Sequence, residues 1–245
     1  MHKKALNLSL DDLSSRFDAY LLEAHRLKEK YSGRISLLIG LETEYVSQTD
    51  LDGLDTLLQR EKERIEYVVG SVHHVGEIPI DFDEPTYRRA LECFTDFTAA
   101  DDASASATLE DPESRRMEAY LCAYFDAQYT LISRFKPEII GHIDLCRLYR
   151  PLLCLEAYPR AWAKLKRNIQ LGVSYGALFE CNAAALRKGW EGSYPGEDVV
   201  KVSLFAYSRS GYIPTIRHHS SYKAMTVGLH CRTTAMGRML LGLTI

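Results

Sequence analysis

The feature of this chain that most constrains its fold is a repeated unit, in which a short apolar run ends in a polar residue able to hold a metal. Runs of this kind occupy residues 35–39, 66–69, 139–140 and 177–179, and the polar residues that follow them are Glu42, His73, His142 and Glu180. Helical patterns separate the runs, which predicts parallel strands joined by right-handed crossovers. Polar groups at the carboxyl ends of such strands form the active sites of barrel enzymes. Imidazole and carboxylate together predict a divalent cation, because zinc, manganese and iron share these ligands.

Length and composition favour a single domain that acts on a small molecule. A chain of 245 residues is long enough for one barrel, and we predict one domain over residues 1–245. The formal net charge of -3 gives no electrostatic argument for binding nucleic acid or an acidic membrane surface. No apolar run approaches the roughly 20 residues that crossing a bilayer requires. Six cysteines without a C-x-x-C pair indicate a reduced, cytoplasmic protein.

Capping residues predict where the helices begin. Ser9, with Asp12 three residues later, is expected to cap a first helix that ends at Gly33. Asp50 or Asp52 is expected to open a second, shorter helix. Further helices are predicted from Pro85, from residues 111–113 and after Pro159, and residues 78–85 are predicted to form a loop.

The first two strand ends each carry a predicted ligand with a second polar residue near it, Glu44 near Glu42 and His74 beside His73. Glu42 and Glu44 would lie on one side of an extended strand, and two carboxylates this close are costly without a cation between them. A solvated strand end is the alternative for these residues alone. Adjacent histidines on an extended segment face opposite ways, so one of them can join the site. We predict His73 as the ligand, with His74 contacting the substrate or a ligand, against the alternative of exposed loop histidines.

The last two strand ends add a histidine and several polar residues. His142 follows its strand directly, and Asp144 is expected to orient the His142 imidazole through its second nitrogen. Glu180 is predicted to lie beside a ligand, and Asn182 to contact the substrate. Three cationic residues near these strand ends could bind a phosphate dianion. They are Arg147, Arg187 and Lys188. For any one of them, a solvated cation on the surface is the commoner explanation.

Taken together, these motifs resemble those of the histidinol-phosphate phosphatases of the polymerase-and-histidinol-phosphatase (PHP) superfamily. The matching stretches are G-L-E-T-E-Y at 40–45, G-S-V-H-H-V at 70–75, G-H-I-D-L at 141–145 and E-C-N-A-A-A-L-R-K at 180–188. Residues 78–83 and 120–129 are also similar to stretches of these enzymes. The order of several motifs makes the resemblance specific.

The resemblance implies a distorted (β/α)7 TIM-like barrel, the PHP fold, with up to three divalent metals, zinc, manganese or iron. The activity it implies is hydrolysis of L-histidinol phosphate to L-histidinol and phosphate, in histidine biosynthesis. Glu42, His73 and His142 would be metal ligands, and the phosphate or substrate contacts would be Arg147, Arg187 and Lys188. A metal-activated water would attack phosphorus, so that no protein nucleophile is required.

Motifs that the family carries near both ends have no counterpart here. Neither the early H-x-H and T-E-H strand motifs nor the late S-D-[DA]-x-H motif can be found, and residues 199–245 contain no Asp or Glu. We therefore expect an incomplete barrel and metal site, with ends truncated or altered relative to the family and an atypical segment over residues 199–245. A catalytically impaired PHP-fold remnant, and a phosphoesterase with another small phosphorylated substrate, are the alternatives that remain.

Overall fold

The structure, a computed structural model, describes residues 9–94, 111–182, 195–210 and 238–244. In chain order its elements are α1 (Leu10–Lys30), β1 (Ser36–Glu42), α2 (Gln48–Arg60), β2 (Tyr67–Gly70), β3 (His74–Val75), β4 (Ile78–Pro79), α3 (Glu84–Glu92), α4 (Pro112–Phe135), β5 (Ile139–Ile140), α5 (Pro159–Tyr175), β6 (Leu178–Phe179), α6 (Glu197–Ser210) and β7 (Arg238–Thr244). Short 3-10 turns at Leu145–Arg147 and Leu155–Ala157 lie between β5 and α5.

The main sheet is parallel and contains five strands in the order β6-β5-β2-β1-β7. The four strands that the sequence predicts to carry the site are therefore consecutive neighbours, since β1 pairs with β2, β2 with β5 and β5 with β6. This confirms an α/β fold with parallel strands. The TIM-like barrel is not confirmed, because the described strands form an open sheet. Whether residues 1–245 form one domain stays a prediction.

The helix starts follow from local capping, with one correction. Ser9 caps α1 as predicted, and the Asp12 carboxylate accepts the Ser9 backbone N–H at 2.8 Å. Helix α1 ends at Lys30, three residues before Gly33. The prediction that Asp50 or Asp52 caps α2 is wrong, because Ser47 is the N-cap and its backbone N–H donates to Asp50 at 2.9 Å. In a capping box an acidic residue occupies the third helical position, and here that residue is Asp50. From the sequence alone, this acid is mistaken for the N-cap.

The segment after the second strand end forms a hairpin where the sequence predicts a loop. Gly76 and Glu77 both have positive φ, at 57° and 65°, which suits a tight two-residue hairpin turn. Strands β3 and β4 pair in antiparallel register on either side of this turn. The prediction of a loop is therefore wrong at Ile78–Pro79. The hairpin continues in a bond from the Ile80 N–H to the His73 carbonyl at 2.8 Å.

Alternation along β1 decides which side of the sheet carries the site. Leu37, Ile39 and Leu41 are buried, and Ile39 and Leu41 lie in one apolar cluster with residues of α1 and α2. Successive side chains of a strand point to opposite faces, so Glu42 lies on the other face. A second apolar cluster packs α3, α4 and α5 together. None of the described helices combines the length and apolar composition needed to cross a membrane.

Candidate metal centre

Three of the predicted ligands meet at one edge of the parallel sheet. Glu42 ends β1, His73 follows β2 and His142 follows β5, and one ligand atom from each lies within 4.8 Å of the others. The Nε2 atoms of His73 and His142 are 2.8 Å apart. Oε1 of Glu42 lies 3.4 Å from the first and 3.5 Å from the second. Parallel pairing of neighbouring strands thus brings together residues that are up to 100 positions apart in the chain.

Two further carboxylates hold the opposite nitrogens of the imidazoles. Glu44 Oε2 lies 3.0 Å from Nδ1 of His73, and Glu180 Oε2 lies 3.3 Å from Nδ1 of His142. Both Nε2 atoms are consequently directed towards Glu42. A carboxylate on the far nitrogen is the usual partner of a metal-bound histidine, because it fixes the tautomer and the ring orientation.

The charges at this centre are arranged for a cation. Burial opposes ionisation of Glu42, but the interactions with His73 and His142 outweigh it and lower its pKa to about 2. The pKa of Glu44 is likewise lowered to about 2 against the effect of burial, by His73 and His74. Burial alone would lower the pKa of His73, yet its hydrogen bonds to Glu42 and Glu44 raise it to about 10. In the protein alone, a proton on His73 therefore balances carboxylates that stay ionised.

This donor set fits a divalent metal. Two neutral imidazoles cannot both present a lone pair to each other at close range, so the contact between the Nε2 atoms requires a proton or a cation. Two imidazole nitrogens and a carboxylate oxygen match the ligand types of zinc, manganese and iron. The half-buried position of these groups, with side chains 11–25% exposed, leaves access for such an ion.

Glu180, rather than Asp144, is the residue that orients His142. The prediction for Asp144 is wrong, because its Oδ2 accepts from Arg147 at 2.7 Å and from the Gly196 N–H at 2.8 Å. Asp144 is fully buried and directly precedes the 3-10 turn at Leu145–Arg147. The parallel pairing of β5 with β6 brings Glu180 to His142 instead, and Glu180 also accepts the backbone N–H of His142 at 3.0 Å.

Arg147, predicted as a phosphate contact, is engaged by two carboxylates of the protein. Its guanidinium donates to Asp144 and, at 2.7–3.0 Å, to both carboxylate oxygens of Asp198. It also donates to the Leu153 carbonyl at 2.9 Å, and Arg147 is only 5% exposed. All three of its side-chain nitrogens are engaged within the protein, and the role of Arg147 as a phosphate contact stays a prediction. Asp198, at the start of α6, has no motif around it that would have pointed to this pairing.

The remaining predicted contacts lie at the edge of the centre or beyond the described residues. His74 is buried, and its Nδ1 lies 2.9 Å from Oε1 of Glu44, the carboxylate that also holds His73. Of the two roles predicted for His74, this contact favours support of the ligand His73 over contact with substrate. Asn182 donates to Glu180 at 3.1 Å. Arg187 and Lys188 lie outside the residues that the structure describes.

A threonine that the sequence analysis passed over links the first two strand ends. Thr43 stands between Glu42 and Glu44 and is fully buried. Its hydroxyl donates to the Ser71 carbonyl at 3.2 Å and accepts the Ser71 backbone N–H at 2.9 Å. These bonds connect the end of β1, which carries Glu42, to the segment that carries His73. A buried hydroxyl between two acids is the signal that could have identified it.

Gly141 must be a glycine for the strand ends to approach this closely. A Cβ at this position would collide with the Ser71 hydroxyl and lie 3.0 Å from Cγ1 of Val69. We expect Gly141→Ala to push His142 away from His73, weakening metal binding and lowering the free energy of unfolding by about 1–3 kcal/mol. Isothermal titration with Zn²⁺ and chemical denaturation measure the two effects.

Gly53→Ala is the matched control for this substitution. A Cβ at Gly53 meets no atom within 4 Å, and the residue lies inside α2. Alanine there should leave metal affinity unchanged and raise stability by about 0.5–1 kcal/mol. Unchanged Zn²⁺ affinity and stability in Gly141→Ala would contradict the steric argument.

Comparison with known proteins agrees with the geometry. Residues 6–184 match the PHP domain. Over 207 residues the chain is 36% identical to a probable histidinol-phosphatase of Schizosaccharomyces pombe, covering 83% of this chain and 61% of that protein. Over 211 residues it is 27% identical to the histidinol-phosphatase of Saccharomyces cerevisiae, covering 76% and 57% of the two chains. A histidinol-phosphatase of Bacillus subtilis is 22% identical over 215 residues, covering 86% and 72%. The chain spans about three fifths of the length of the two yeast relatives.

Proposed function

Because this chain belongs to the PHP domain family, we propose that it is a metal-dependent phosphomonoesterase that hydrolyses L-histidinol phosphate to L-histidinol and phosphate. The observation that carries the proposal is the meeting of Glu42, His73 and His142, with each imidazole held by a carboxylate on its other nitrogen. The names of the three relatives support the choice of substrate. Histidine biosynthesis is the pathway that this substrate implies.

The described residues supply the ligands and their orientation. Glu42, His73 and His142 would hold a divalent metal, for which zinc, manganese and iron are the candidates. When bound, such an ion lowers the pKa of a coordinated water and neutralises charge on phosphoryl oxygens. Glu44 and Glu180 keep the two imidazoles aligned and add negative charge that favours a cation. Hydrolysis breaks the bond between phosphorus and the ester oxygen, and water supplies the hydroxyl to phosphorus and a proton to the alcohol.

Substrate binding requires cations apart from Arg147. Since the Asp144 and Asp198 carboxylates engage the Arg147 guanidinium, we assign phosphate binding to Arg187 and Lys188, which the family resemblance supports. We assign Asn182, which donates to Glu180, as a further contact of the same substrate. The small phosphate ester is the partner of this site, and binding of nucleic acid or membrane is not part of the proposal. We also assign the protein to the cytoplasm, as cysteines without a C-x-x-C pair favour.

Phosphate release measures this function directly. The purified full chain is expected to release inorganic phosphate from L-histidinol phosphate in the presence of Zn²⁺, Mn²⁺ or Fe²⁺, and to stop when a chelator is added. Release only from other esters, such as glycerol phosphate, would replace this substrate with a different small one. No release with any of these metals would leave a PHP-fold protein without phosphatase activity and would overturn the proposal.

A further inference from the structure

The backbone around His142 receives from helix α4 the hydrogen bonds that the sheet does not supply. Strand β5 contains Ile139 and Ile140 alone, and the Gly141 N–H then donates to the Gly70 carbonyl at 3.0 Å. Residues 141–148 are all buried, so their carbonyls have little access to water. A buried carbonyl without a partner is costly. Backbone N–H groups of the segment satisfy part of this need, as the Leu145 N–H does for the His142 carbonyl at 2.9 Å, and side chains of another element supply further donors.

Three buried polar side chains of α4 provide them, and we call this set the donor stripe. Its bonds run from the Tyr124 hydroxyl to the His142 carbonyl (3.4 Å), from Gln128 Nε2 to the Ile143 carbonyl (3.2 Å) and from the Tyr120 hydroxyl to the Cys146 carbonyl (3.3 Å). The three donors are four residues apart, which places them on one face of the helix. None is more than 1% exposed. Apolar side chains alone could fill this buried face of α4, and burying polar atoms is costly unless they form hydrogen bonds. Packing alone therefore does not explain why three hydrogen-bond donors occupy the face.

The donors of the stripe are fixed in their chemical state and orientation. Burial raises the pKa of Tyr120 and of Tyr124 well above the usual value, so both hydroxyls stay protonated. Asn168 of α5 donates to Oε1 of Gln128 at 3.1 Å, which leaves the Gln128 amide nitrogen as the donor to the loop. The two hydroxyls and the Gln128 amide nitrogen therefore act as the donors of the stripe.

Hydrogen bonds therefore fix both backbone groups of His142, the N–H before its Cα and the carbonyl after it. Its N–H donates to Glu180 at 3.0 Å, and its carbonyl accepts from Tyr124 and, at 2.9 Å, from the Leu145 N–H. Two fixed peptide planes determine the direction of the bond from Cα to Cβ. The remaining freedom of the imidazole is then removed by its contact with Glu180.

We propose that the donor stripe is a positioning device for the metal centre, with Tyr124 as the positioning residue that contributes most. Through the His142 carbonyl it keeps the His142 imidazole next to His73 and Glu42, so that a cation meets a preformed set of ligands. The proposal rests on the metal centre of the proposed function and adds residues that contact neither metal nor substrate. Tyr120 and Gln128 act on the same loop at Cys146 and Ile143, further from the ligand, and their effects should be smaller.

Cobalt titration of the full chain tests this directly, because Co²⁺ replaces zinc and its visible absorbance reports the ligand geometry. Tyr124→Phe removes one oxygen atom and keeps the ring. It is expected to bind Co²⁺ about 10-fold more weakly than wild type, the range seen when a partner of a metal ligand is lost. Its cobalt absorption bands should also shift, which loss of stability alone would not cause. Tyr120→Phe should show the same change to a smaller degree.

Tyr87→Phe is the matched control. Tyr87 is 2% exposed and packs edge-on against Tyr120 with ring centroids 5.5 Å apart. Its hydroxyl has no hydrogen-bond partner among the described residues. The same loss of a buried hydroxyl should therefore leave the Co²⁺ affinity and spectrum unchanged.

The outcomes separate this proposal from the one it rests on. Wild-type Co²⁺ affinity and an unchanged spectrum in Tyr124→Phe would overturn the positioning role alone, whatever the thermal midpoint of the variant. Absence of Co²⁺ binding by the unaltered chain would overturn the metal centre and this proposal together. If circular dichroism shows that Tyr124→Phe does not fold, Gln128→Met gives the same comparison at the Ile143 carbonyl, and unchanged binding there would likewise overturn the proposal.

Discussion

His142→Ala is expected to abolish metal-dependent phosphate release, lowering kcat/KM for L-histidinol phosphate by more than about 100-fold. The imidazole of His142 contributes one of the three ligand atoms, and its Nε2 lies 2.8 Å from that of His73. Loss of a residue that merely orients a ligand costs 10- to 100-fold, so loss of a ligand should cost more. Steady-state phosphate release with Zn²⁺ or Mn²⁺, together with calorimetric titration of the metal, measures both effects.

His25→Ala is the control for this substitution. His25 is a partly buried histidine of α1, and its Nε2 lies 3.1 Å from the Arg64 carbonyl, which precedes the start of β2. It should keep wild-type metal affinity and turnover. If His142→Ala binds metal and hydrolyses the ester as wild type does, Glu42, His73 and His142 do not form the catalytic metal centre.

The meeting of the three ligands could be anticipated because each depends on one local pattern. An apolar run followed directly by a polar residue predicts the strand and its end, and parallel pairing then aligns the ends at one edge. The placement of Glu42 on the face opposite Ile39 and Leu41 likewise follows from alternation alone. Local patterns thus accounted for the strands, for their direction and for which residues could meet.

The partners of these ligands could not be anticipated in the same way. Asp144, two residues from His142, was the natural choice in sequence, but a 3-10 turn carries it towards Arg147. Glu180 is distant in sequence and reaches His142 because β6 lies beside β5. The order of strands in a sheet is decided by packing of the helices across it, which periodicity does not report. The same reason leaves the predicted barrel unconfirmed, since closure depends on pairing between distant strands.

Arg147→Met is expected to lower the free energy of unfolding by about 3–5 kcal/mol, because it leaves Asp144 as a buried and unpaired charge. Asp144 is fully buried, and its Oδ1 has no hydrogen-bond partner among the described residues. Without Arg147 the carboxylate would keep, among the described residues, the Gly196 N–H as its donor. For a chain of this size the thermal midpoint should fall by roughly 6–20 °C. Urea denaturation of the protein with a chelator present measures the change apart from any effect of bound metal.

Arg150→Met separates this effect from the loss of an ordinary ion pair. Arg150 pairs with Glu113 at 3.0 Å, also across a long stretch of chain, but their side chains are 43% and 62% exposed. Screening by water should keep its effect within about 1 kcal/mol. Adding Asp144→Asn to Arg147→Met should recover part of the lost stability, since the buried charge is then removed. A variant Arg147→Met of normal stability with a raised KM for L-histidinol phosphate would instead restore Arg147 as a phosphate contact, and the structural pairing with Asp144 and Asp198 would then have to open when substrate binds.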